Sequence, residues 1–72
     1  MGIVTAVEYI IFESLFNYHT FRYSQLSDRS PEKAKVHLDK AVRWGREFVG
    51  LSGYVSPDQK ADLKYLEDKA AA

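Results

Sequence analysis

Two histidines, His19 and His37, are the side chains of this 72-residue chain best suited to acid–base or metal chemistry near neutral pH. A helical metal site would give His19 a second ligand one turn away, as in Glu-x-x-His or His-x-x-x-His, and none accompanies it. His19 therefore reads as a packed, hydrogen-bonded residue. Glu8 and Glu13 are five residues apart, so on a helix they point to different sides and make a poor carboxylate pair. Ser14, Ser24 and Ser52 have no histidine at triad spacing. Gly45, Gly50 and Gly53 are followed by no Lys-Ser/Thr and preceded by no strand, which rules out a phosphate loop. The chain has no cysteine, removing thiolate zinc sites, cysteine nucleophiles and disulfides. The expectation is a protein without catalytic residues, cofactor or metal.

A second cluster invites a binding role. Lys33, His37, Lys40 and Trp44 recur at spacings of 4, 3 and 4, forming one strip on a helix, with Arg43 and Arg46 beside it. Basic side chains next to aromatics can clamp phosphates and stack bases, so Lys33, His37, Lys40, Arg43, Trp44 and Arg46 are the candidate contacts to nucleic acid or another partner. Local acids weaken that reading: Asp39 and Glu47 each stand four residues from Arg43, and Glu32 three from Lys35. Ten basic and ten acidic residues also cancel, leaving no global field to attract a polyanion. The preferred reading is a solvated face with Trp44 covering the core edge. A helix-turn-helix fits worse, because Asp58, Asp62, Glu67 and Asp68 on the last helix would repel phosphate. Ser30-Pro31 also has the form of a proline-directed phosphorylation site, although capping accounts for both residues.

The elements that position these residues are legible from caps and periodicity. The chain reads as a single helical domain, 1–72, with helix one over about 3–26, helix two over about 31–49 and helix three over about 57–70. Residues 70–72, three alanines, read as a cloning remnant, as does Met1-Gly2. Ser30-Pro31-Glu32 marks a helix start, with an N-cap serine, proline at the first helical position and an acid at the positive dipole end. Ser56-Pro57-Asp58-Gln59 repeats that signal and adds a glutamine that completes a capping box. Gly45 lies inside a helical pattern, where it costs about 1 kcal/mol relative to alanine, so another backbone, that of helix one, is expected to approach it closely. Tyr54 and Val55 are expected to tuck under the bundle end. The fold class is all-α: an up-down-up three-helix bundle with a long first helix, pairing into a larger bundle as a homodimer.

Helix one carries the strongest functional hint. Ile3, Val7, Ile10, Ile11, Leu15, Tyr18 and Phe21 fall on one side and read as its inner stripe. Tyr9, Phe12, Phe16, His19 and Tyr23, at spacings of 3, 4, 3 and 4, form an aromatic ridge on its flank. Glu13, Asn17, Thr20 and Ser24 mark the solvent side. So short a chain has too few residues to cover both apolar faces, and a partner is implied. Glu8, Glu13, His19 and Arg22 interrupt any membrane-spanning run, and Ala6 breaks the myristoylation pattern. The expected function is a cytoplasmic, non-enzymatic protein–protein interaction module, a small regulator, adaptor or subunit. It would self-associate, or bind another helical protein, through Tyr9, Phe12, Phe16, His19 and Tyr23. Weak nucleic-acid binding by helix two and small apolar ligand binding are the alternatives.

Overall fold

A computed structural model describes residues 3–51 and 55–72. They form three helices: α1 Ile3–Leu26, α2 Pro31–Gly50 and α3 Pro57–Ala71. Tyr54, with Ser52, Gly53, Met1 and Gly2, lies outside the described residues; Val55 packs against the core. α1 is continuous for 24 residues, about 36 Å at 1.5 Å per residue, which sets the length of a molecule measuring 41 × 18 × 15 Å.

α2 is the central element. Its buried residues Ala34, Leu38, Ala41, Val42, Gly45 and Phe48 recur at helical spacing and make one well-defined apolar stripe. α1 packs against α2 and α2 against α3, while the α1 and α3 backbones do not come together among the described residues. Phe16, Leu38, Ala41, Val42, Phe48, Leu63 and Leu66 form the core, with Tyr9, Phe12, Tyr23, Trp44 and Val49 packed on its edge. Gly45 is where three helices converge: a Cβ there would meet Leu63 Cδ1 at 2.8 Å and Phe16 Cδ1 at 2.8 Å. The missing side chain lets α1 and α3 both press on α2.

The two Ser-Pro starts behave differently. Ser56 forms the full capping box, accepting from the Gln59 backbone N–H at 3.2 Å while its own N–H donates to Gln59 Oε1 at 3.0 Å. Ser30 occupies the N-cap position of α2 but makes no side-chain cap bond, contrary to the sequence expectation. Its backbone is tied instead: the Ser30 N–H donates to the Leu26 carbonyl at 2.8 Å, closing the turn after α1. That turn, together with Pro31, fixes the chain entry without the hydroxyl.

The facing of α1 is the main correction. The ridge expected on the flank points into the protein, and the stripe expected to point inward faces away. Phe16 and His19 are the buried residues of α1, whereas Ile3, Val7, Ile10, Ile11, Tyr18 and Phe21 are exposed and Leu15 is half-buried. The reason lies in α2, whose inner surface is lined by Ala34, Ala41 and Gly45 between larger residues. Small residues leave a groove that planar rings fill deeply, and rings remove more apolar area from water than aliphatic side chains do. The two apolar faces of α1 are nearly opposite, so they cancel and leave no single hydrophobic direction in its sequence.

Candidate functional site

With the ridge turned inward, its five residues all find partners within the chain. Tyr9 packs on Phe48 with ring centroids 5.1 Å apart, Phe12 stacks on Trp44 at 5.7 Å and Phe16 on Phe48 at 6.1 Å. Tyr23 packs at the core edge. The Tyr9 hydroxyl donates to Glu13 Oε2 at 3.2 Å, and Gln59 Nε2 donates to the same oxygen at 3.0 Å. Burial raises the Tyr9 pKa, helped by the hydrogen bond to Glu13 and its charge, so Tyr9 remains a donor. The five residues proposed from sequence as an interface therefore form an internal seam between α1 and α2.

The two histidines meet in that seam. His19 Nδ1 and His37 Nδ1 lie 2.9 Å apart, and the ring centroids are 5.1 Å apart. One ring must present its Nδ1–H and the other its Nδ1 lone pair, which requires different neutral tautomers. Both pKa values are lowered. For each the largest cause is burial; His37 and Lys40 add repulsion at His19, and Arg22 and Lys40 at His37. Tyr18 closes the pair from outside, edge-on to His19 at 5.0 Å and to His37 at 6.1 Å. Among the described residues no group of three or more His, Asp or Glu could hold a metal. Two nitrogens flanked by Arg22 and Lys40 also suit a cation poorly. The pairing follows from the short turn around Asp28: in an antiparallel hairpin centred there, residues equally distant from it, such as 19 and 37 or 12 and 44, come face to face.

The basic strip of α2 is divided among three tasks. His37 and Trp44 turn toward α1, and Arg43 lies over the Trp44 ring at 5.1 Å. Arg46 reaches across to α3, donating from Nε and Nη2 to Glu67 Oε2 at 3.1 and 2.9 Å. Lys33, Lys40 and Arg43 are exposed. With Trp44 stacked on Phe12, the strip offers no open aromatic platform for a base.

Two further surfaces bear on binding. Between α1 and α3 runs a groove of about 470 Å³, lined by Thr20, Tyr23 and Ser24 on one side and Asp62, Tyr65 and Lys69 on the other. Thr20 and Ser24, from the edge of α1 that reads as solvent-facing in the sequence, border this groove. Lys69 sits 5.5 Å over the Tyr65 ring, and the walls mix charge with apolar surface, unlike a pocket for an apolar ligand. The second surface is the outer face of α1. Ile3 is 85% exposed and Ile10 62%, and Val4, Val7, Ile11, Tyr18 and Phe21 are each about half exposed or more. Monomeric proteins rarely leave such a continuous apolar row in water. No described helix is long and apolar enough to cross a membrane. Comparison with protein families, characterised proteins and solved structures gives no match.

Proposed function

We propose that this chain is a non-catalytic helical interaction module that self-associates through the outer face of α1. The observation that carries the reading is the row Ile3, Val4, Val7, Ile10, Ile11, Tyr18 and Phe21, exposed on the side away from α2. A standard protein interface takes about 800 Å² from each partner, and seven exposed apolar side chains on one helix face supply surface of the kind it needs. A lipid surface is the weaker match, because α1 carries Glu8 and Glu13 against one basic residue, Arg22, whereas interfacial membrane helices are rich in lysine and arginine.

The test is the solution mass by light scattering after size exclusion over a hundredfold concentration range. The wild-type chain should run as a dimer that Ile10→Glu splits while leaving helix content unchanged. A wild-type monomer at every concentration would remove the proposal. Phe16→Glu is not a substitute, since Phe16 is only 2% exposed and a buried charge there would unfold the chain.

A further inference from the structure

We infer that the partner on this face is a second copy whose α1 lies antiparallel, with the two-fold axis passing at Ser14. This rests on the self-association proposed above and specifies its geometry. Four residues of the outer face of α1 are placed symmetrically about Ser14, an exposed residue in the middle of the row. Ile10 and Tyr18 stand four residues before and after it, and Val7 and Phe21 seven residues before and after it. Residues at those offsets share one helix face. An antiparallel two-fold therefore sets Val7 against the other copy's Phe21 and Ile10 against its Tyr18, small against large at these two levels, while Ile3, Val4 and Ile11 fall opposite Gln25, Ser24 and Asn17. Ser14, the smallest side chain of the row, lies at the crossing, where the two backbones come closest. Parallel pairing would stack Phe21 on Phe21 and Tyr18 on Tyr18 at one end and leave Val7 facing Val7 at the other.

Charge selects the same arrangement. Glu8 and Arg22 are 14 residues apart, within about 40° of each other around the helix, so they flank one edge of the row. A two-fold axis perpendicular to the helices brings like edges together. Glu8 of each copy then falls within about 3 Å along the axis of the other copy's Arg22, an offset an arginine spans easily. Arg22 Nη1 now donates to Gln25 Oε1 at 2.8 Å on the exposed surface, a bond readily exchanged for a carboxylate. Parallel pairing offers Glu8 no such partner, because its edge would meet the edge bearing Asn17 and Ser24.

The experiment is a charge swap read by sedimentation at low salt. Glu8→Arg and Arg22→Glu should each weaken the dimer about tenfold, because every single change sets like charges opposite at both ends. The double variant Glu8→Arg/Arg22→Glu should return to within about threefold of wild type. A wild-type dimer whose double variant is no tighter than the singles would overturn the antiparallel geometry and leave self-association standing. A wild-type monomer would overturn both. Circular dichroism of each variant, at positions outside the core, confirms an intact fold.

Discussion

Gly45→Ala sets two effects of similar size against each other at the point where α1, α2 and α3 meet. Alanine in a helix interior is favoured over glycine by about 1 kcal/mol. Against this, the new methyl would lie 2.8 Å from Leu63 Cδ1, 2.8 Å from Phe16 Cδ1 and 2.9 Å from Phe16 Cε1. Carbon atoms pack comfortably at roughly 3.5–4.0 Å, so both neighbours must retreat by about 1 Å. The Leu63 methyl is the end of a flexible side chain and can rotate. Phe16 cannot, being almost fully buried and stacked on Phe48. Overpacking of this kind costs about 1–3 kcal/mol, leaving a net loss of about 1 kcal/mol and a drop in Tm of about 4–8 °C for a domain of this size. Urea and thermal unfolding at one fixed protein concentration measure it. Gly50→Ala is the control, because nothing lies within 4 Å of a Cβ there, and it should gain up to about 1 kcal/mol. Gly45→Ala as stable as wild type would show that the three helices do not converge tightly on that position.

Two further outcomes can be checked with the same assay. The His19–His37 pair makes stability fall in acid: both folded-state pKa values lie below the ordinary imidazole value, so the unfolded chain binds more protons. Stability is whole above about pH 6.5 and is lost as the pH falls below it, by at most about 1.4 kcal/mol per pH unit for each proton taken up. The His37→Gln variant should flatten this slope, and equal wild-type stability at pH 7.5 and 5.5 would refute the pairing. At the helix starts, Ser56→Ala should cost about 1 kcal/mol through loss of the capping box, whereas Ser30→Ala should cost less because its hydroxyl makes no cap bond. Equal costs would contradict the difference between the caps.

The all-α class and three helices are legible in the sequence because their signals are local. Ser56-Pro57-Asp58-Gln59 needs only its own residues to form a capping box, and Pro31 needs only its fixed φ to start a helix. The close approach at Gly45 is legible from its helical penalty, but its form is not: side chains of Phe16 and Leu63, from α1 and α3, fill the space in place of the expected backbone of helix one. The orientation of α1 was not legible. Its two faces are both apolar, and the choice between them depends on the shape of the groove between Ala34, Ala41 and Gly45 on another helix, which no periodicity within α1 encodes. The candidate site shifted with that choice: Tyr9, Phe12, Phe16, His19 and Tyr23 became the seam, and the aliphatic row became the surface. The meeting of His19 and His37 was recoverable in principle from the turn around Asp28, since an antiparallel hairpin fixes which residues oppose one another.

The polar groove beside α3 bears on how the chain opens. The α3 backbone comes close to α2 only, through Leu63, Leu66 and the exposed Arg46–Glu67 pair; toward α1 its start is tied by the Gln59–Glu13 bond. α1 and α2, by contrast, share the aromatic seam along most of their length. The free energy of opening is therefore graded along the sequence: the last helix can lift away while the hairpin of the first two persists. Such a partly opened form would uncover Gly45 together with Leu63 and Leu66, and with them a second apolar surface, on the side of the molecule away from the row on α1.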